Sequence, residues 1–293
     1  MDEENSWSKI IRHHSITPLP RPMAHRRFSE LSPLAYRIAV EKNILQRKVK
    51  DLFSSQHFAS QKQHEPLPVL IYQHSSLIRR RLGNVNMQLQ ENKAVNLALA
   101  APHVDGIIIR PGETFSFWRL VGRDSKHRGF REGLTIANGK PSSGIGGGMC
   151  QFSNLIHWMI LHSELTITEH HHHDGLDLFP DFNRQIPFGT GTSIVYNYRD
   201  YRVTNNTQNT YQLLVHVTDT HLCGELRATQ EEPHTFNIFI EDEHFTREGD
   251  AVYRNGIVSR QTIDRQTNHI VSTEVIRRNH ARVMYDTSNL KIE

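Results

Sequence analysis

From Met149 to Leu161 the chain is apolar on almost every side of a helix, with Leu155, Ile156, Trp158, Met159, Ile160 and Leu161 leaving little polar face for water. A helix of that kind belongs inside a protein and needs other elements around it. It follows Gly144-Ile145-Gly146-Gly147-Gly148, which reads as a tight turn feeding the chain into the buried helix. Cys150 stands at the start of that helix, and Glu169-His170-His171-His172-His173-Asp174 comes further on. A thiol at a helix start with imidazoles downstream is one way to build a reactive cysteine. The same residues also describe nothing more than a turn into a core helix.

The totals narrow the setting. The chain has 293 residues, enough for one large domain or two ordinary ones. Hydrophobic residues make up 37%, and no apolar run reaches the ~18 residues of a membrane span. Met1-Asp2-Glu3-Glu4-Asn5 is acidic and polar, without an apolar signal segment, so the expected location is cytoplasmic. Two cysteines, Cys150 and Cys223, cannot form a disulfide framework and are expected as free thiols. The net charge of +3 is dispersed rather than gathered in a stripe, which argues against a nucleic-acid partner.

Periodicity sets the order of elements. Residues 1–30, with Pro18-Leu19-Pro20-Arg21-Pro22, read as a disordered tail. Ser32 and Pro33 then start a helix, with Leu34, Ile38, Glu41, Leu45, Lys48 and Leu52 on the face expected to pack on the domain. A second helix is expected over 85–101 and closes an N-terminal helical region, 31–105. A mixed core, 106–230, holds strands at 107–109, 114–117 and 134–137, a hairpin turn at Asn138-Gly139, the buried helix, and strands at 165–168 and 193–203. A β-rich extension, 231–293, closes the chain. The class is α+β.

Several motifs occur in order between Leu31 and Leu214: Pro111-Gly112-Glu113-Thr114-Phe115-Ser116-Phe117, Val121-Gly122, the glycine turn into Cys150-Gln151, Glu169 with its histidines, Phe179-Pro180-Asp181, Arg184 and Pro187-Phe188-Gly189. Together they resemble the VanW family. The resemblance implies a link to glycopeptide resistance and cell-wall biology, and it implies no particular reaction. His170 stands where the family pattern has arginine, and Asp174 where it has serine.

Two functions follow. In the first, the protein is an accessory or ligand-binding member of that family, and its partner is a small molecule or peptide-like ligand. In the second, Cys150 is the nucleophile of an amide hydrolase or acyl transferase. A helix N-terminus lowers a thiol pKa from about 8.5 towards about 7. Gly146, Gly147 and Gly148 would aim backbone N–H groups at an oxyanion. An extended 168–174 puts Glu169, His171 and His173 on one face, the candidate catalytic set with Cys150. Gln151, Asn154 and Arg184 are the candidate ligand contacts, Arg184 through a bidentate grip on a carboxylate. Alternate histidines could chelate a metal with Cys150 or Glu169, but neither a paired CxxC nor HExxH is present, so no metal and no cofactor is assigned. The absence of a P-loop, GxGxxG or GxSxG argues against nucleotide and serine-hydrolase chemistry.

Overall fold

Ser32 Oγ accepts the N–H of Ala35 at 3.1 Å and starts the first helix, α1, Pro33–Leu52. The computed structural model describes residues 32–79, 86–137, 140–172, 175–178, 180–181 and 186–293. The expected tail, the Asn138-Gly139 turn, His173, Asp174 and Arg184 lie outside these residues. The chain divides into two compact units, Met1–Lys42 and Asn43–Glu293, and α1 runs from the first into the second.

The packing face of α1 is not the one its leucines mark. Leu34, Ile38, Leu45 and Leu52 are exposed. Within the second unit the buried side of the helix carries Ile44 together with Arg47 and Asp51. These two ions find buried partners, and that pairing outweighs the hydropathy of the other face.

The elements after α1 are β1 (His57–Phe58), β2 (Val69–Leu77), α2 (Met87–Val104), β3 (Ile107–Ile109), β4 (Glu113–Ser116), α3 (Phe117–Val121), β5 (Glu132–Ala137), β6 (Lys140–Ile145) and α4 (Met149–Ile160). They continue with β7 (Thr166–Glu169), β8 (Leu176–Asp177), β9 (Arg202–Thr204), β10 (Tyr211–Val217), β11 (His221–Ala228), β12 (His234–Glu248), β13 (Ala251–Asp264) and β14 (Ile270–Val283). The class is α+β with a β-rich C-terminal part. One sheet has the order β2-β11-β10-β3 and is antiparallel throughout. A second has the order β1-β4-β9-β7. β12, β13 and β14 form a third sheet, in which the short β8 joins β14 in parallel through Arg282–Leu176 and Val283–Asp177. β5 and β6 form a two-stranded hairpin.

α4 is the centre of the core, as its sequence requires. Phe152, Leu155, Ile156, Met159 and Ile160 are buried, and the helix packs over β11 and β2. The approach is closest at Gly224 of β11, where an added Cβ would meet Met159 Cε at 2.7 Å and Leu155 Cδ2 at 3.0 Å. α2 starts on Asn86, whose side chain accepts the N–H of Gln88 at 2.9 Å, and packs on β10 and β5.

Two regions depart from the pattern of their sequence. Residues 193–203 alternate like a strand, but only Arg202–Thr204 is one. Before it the chain turns through Asn197 at φ 63°, and the Asp200 carboxylate accepts the N–H groups of Trp118 and Tyr201, which fixes a loop. The extension forms three strands of 14–15 residues, longer than the unbroken alternation in its sequence, and bulges absorb the breaks.

Gly224→Val should destabilise the protein by about 1–3 kcal/mol through overpacking against α4. Chemical denaturation of the two proteins measures this difference. An unchanged midpoint would mean that α4 does not rest on β11 at this point.

Candidate functional site

The glycine turn is built for close packing. Gly146 has φ +77° and Gly148 φ +115°, values that favour glycine. A Cβ on Gly146 would strike the Asp124 carboxylate, and one on Gly148 would meet Lys93 Cγ at 2.5 Å. Gly147 lies directly on Gly133 of β5. Asn96, fully buried on α2, clamps the assembly: its Nδ2 donates to the carbonyls of Gly147 and Arg131, both at 2.9 Å, and its Oδ1 accepts the Arg131 N–H at 2.7 Å. The N–H of Gly146 donates to Arg131 and that of Gly147 to Gly144.

Cys150 follows this turn and keeps some surface exposure, yet the protein packed around its thiol governs its chemistry. Burial pushes the thiol above its ordinary range, a hydrogen bond with the Ile194 backbone offsets part of this, and the nearby Asp124 carboxylate raises it further. An activated nucleophile needs the opposite shift. No described imidazole hydrogen-bonds to the thiol. Both cysteines are free.

Gln151 and Asn154 hold the helix in place. Gln151 Nε2 donates to Ser76 Oγ at 2.9 Å and to the Leu77 carbonyl at 3.0 Å. Asn154 Oδ1 accepts the Thr192 N–H at 2.6 Å and the Thr192 hydroxyl at 2.8 Å. Thr192 also meets the Ser153 hydroxyl, so α4 holds the 190–194 loop by two side chains, Ser153 and Asn154.

Glu169 and His171 do come together, with His171 Nε2 3.0 Å from Glu169 Oε1. Arg47 donates to both Glu169 oxygens at 2.6 Å, and the Asp200 N–H donates to Oε1 at 2.9 Å. Burial pushes the Glu169 carboxyl up, but the hydrogen bonds from Arg47, His171 and Asp200 outweigh it and hold the group below its usual range. Glu169 is thus a bound carboxylate facing arginine. The hydrogen-bonded strand ends at Glu169, but the side chains keep alternating through His172, with His171 beside Glu169 and His170 beside His172.

The imidazoles that gather in the interior are His157, His170 and His172. The ring of His170 stands 4.2 Å from that of His157 and 4.0 Å from that of His172. His157 Nδ1 lies 3.1 Å from the buried Tyr201 hydroxyl. Burial and the neighbouring rings hold His157 well below the usual histidine range and take His170 down to about 3, against a hydrogen bond between His170 and the Gly191 backbone. Both are neutral at ordinary pH, and their buried Nε2 atoms have no hydrogen-bond partner. Among the described residues, no three His, Cys, Asp or Glu are arranged to hold a metal ion.

His172 also forms one wall of a cleft of about 120 Å³. The floor and rim come from Gly175, Leu176, Phe188, Gly189 and Gly191, and the opposite wall is β14 with Arg277, Asn279, His280 and Ala281. Asn279 fixes the two sides: its Nδ2 donates to the Phe188 carbonyl at 2.8 Å, and its Oδ1 accepts Arg277 Nε at 3.1 Å. Next to the cleft, Arg254 is buried against Asp177, Asp181 and Glu243, with its guanidinium 4.5 Å over the Phe188 ring.

A family model described as VanW like protein matches residues 92–227. The chain is also 35% identical over 219 residues to the vancomycin B-type resistance protein VanW of Enterococcus faecalis strain ATCC 700802 / V583, covering 75% of this chain and 79% of that protein. The chain belongs to the VanW family. It is 27% identical over 118 residues to the uncharacterized protein YoaR of Bacillus subtilis strain 168, covering 39% of this chain and 36% of that one. No solved structure matches it.

The VanW-matching segment contains the turn, Cys150, Glu169, the histidines and the 186–191 rim of the cleft, whereas Arg277, Asn279 and His280 lie beyond it. Sequence reasoning passed over Asp124, Arg47 and Arg277. Asp124 stands two residues after the Val121-Gly122 motif. Arg47 is paired with Glu169, 122 residues away, and the cleft residues 172–191 that Arg277 faces are more than 80 residues from it, so nothing local in sequence marks either arginine.

Iodoacetamide should modify Cys150 slowly, with a pH midpoint above the ordinary thiol value of about 8.5, and His171→Ala should leave that midpoint unchanged. A midpoint below about 7.5 that rises in the variant would restore the thiol-nucleophile reading.

Asp124 gives a second expectation. Burial pushes its carboxyl up to about 6, with its own backbone N–H, Arg123 and Arg128 opposing. The folded value lies above the unfolded one of about 3.9, so the folded state holds the extra proton between them, and stability falls as pH rises through that interval. Asp124→Asn should therefore gain on the order of 3 kcal/mol at about pH 8 relative to its effect at about pH 3.5, measured by urea denaturation at both. Equal effects at the two pH values would remove the protonation linkage.

Proposed function

We propose that this VanW-family chain is an accessory binding protein whose ligand is a small molecule or peptide-like compound with an anionic end, and that it serves cell-wall or glycopeptide-resistance biology. The cleft between residues 172–191 and β14 carries this reading. Arg277, His172 and His280 supply cationic and imidazole groups, Leu176, Phe188 and Ala281 supply an apolar wall, and no acidic residue is among the described residues lining it. Its volume of about 120 Å³ is well above what a single water needs and leaves room for a carboxylate with a short apolar neighbour. A guanidinium recognises a carboxylate by two parallel hydrogen bonds, which gives orientation as well as affinity. The raised thiol of Cys150 supports binding over thiol catalysis, and the printed name of the Enterococcus relative supports the link to resistance.

Calorimetric titration with N-acetylalanine and with N-acetylalanine amide tests this. The acid should bind, and the amide should bind about tenfold more weakly or not at all, as expected when a charge-assisted pair is lost. Arg277→Gln should abolish that preference. Equal binding of acid and amide by the unaltered protein would overturn the reading, as would no binding of either.

A further inference from the structure

We propose that the exposed face of α1 docks on a membrane surface that carries anionic lipid headgroups. Within the second unit Leu45, Val49, Leu52 and Phe53 are 62%, 46%, 77% and 83% exposed. Their spacing of four, three and one residues puts them on one side of the helix end, as a continuous apolar strip. A soluble surface tolerates single exposed leucines, whereas a contiguous strip marks an interaction face.

The charges around the strip identify the occupant. Lys48 and Lys50, on either side of Val49, are exposed. The only acid from 43 to 53 is Asp51, and Arg202 binds it through two hydrogen bonds of 2.8 and 2.6 Å. Arg47, the remaining cation there, is held by Glu169. The outward side of this helix end therefore presents leucine, valine and phenylalanine between lysines whose charge no neighbouring acid on the segment offsets. An interfacial helix has this composition, with its apolar side sunk among acyl chains and its lysines at the level of anionic headgroups. No helix among the described residues is long and apolar enough to cross a membrane, so the contact is one of lying on the surface.

Flotation of the full chain with phosphatidylcholine vesicles, with and without 30% phosphatidylglycerol, tests the proposal, alongside light scattering for oligomeric state. Binding should require the anionic lipid and weaken with salt. Leu45→Glu/Leu52→Glu should lose it while the circular dichroism and melting temperature stay unchanged, since both side chains are exposed. Lys48→Gln and Lys50→Gln should each weaken partitioning by about fivefold. Absence of binding to anionic vesicles overturns the proposal. So does binding that survives the double glutamate variant. A dimer that the glutamates dissolve, without vesicle binding, would assign the strip to a second copy of the chain and also overturn it.

Discussion

The buried ionic knot around Glu169 and Arg202 organises the middle of this protein. Arg202 is almost fully buried and pairs with Asp200 at 2.9 Å and Asp51 at 2.6 Å, while Glu169 binds Arg47. Ser116, at the end of β4, donates to Asp200 at 2.5 Å, and the Trp118 N–H donates to the same carboxylate at 3.0 Å. Five charges therefore tie α1, β4, α3, β7 and β9 at one point. Ions removed from water are tolerated only when each has its partner, and loss of one member leaves another buried and unpaired. This requirement orients the end of α1: the side carrying Arg47 and Asp51 must face the strands, and the leucines are left outside.

The same knot changes the meaning of Glu169 and His171. Their adjacency matches a base with its orienting acid, and the alternation of a strand predicts it. The carboxylate, however, is fully engaged by Arg47 and the Asp200 N–H, and the thiol it would serve is pushed upward by burial. The glycines before Cys150 are likewise occupied by contacts with Asp124, Gly133 and Lys93. What resembles an oxyanion turn in one dimension is, in three, a place where two backbone segments and a lysine stem come too close for any Cβ.

Legibility followed the type of force. The burial of α4, the turn before it, the strands near 107–109, 114–117, 134–137 and 165–168 and the α+β class could be read because apolar periodicity reports burial directly. The VanW relationship was readable because its motifs are local. The face of α1 was not, since ion pairing over more than 120 residues of sequence outweighed hydropathy there. Residues 193–203 alternate, but the side chain of Asp200 caps backbone N–H groups and turns the chain. The histidine run showed its two faces correctly in principle, yet periodicity could not tell that His170 and His172 would meet His157 inside while His171 turned to Glu169.

The cleft joins the segment matched by the VanW model to the strands beyond it. β8 hydrogen-bonds to β14, Arg254 of β13 reaches Asp177 and Asp181, and Asn279 donates to the Phe188 carbonyl. Each contact crosses from the segment matched by the VanW model into the strands beyond it, so the rim of 186–191 and the wall of β14 are held at a fixed separation. The core supplies His172 and the glycines; the extension supplies the arginine. A VanW-like core without β14 would keep the turn, the buried helix and the histidine stack, but it would lack the guanidinium. In the binding reading proposed above, the VanW-matching segment would supply the entrance for a ligand and the C-terminal strands the cation that meets its charge.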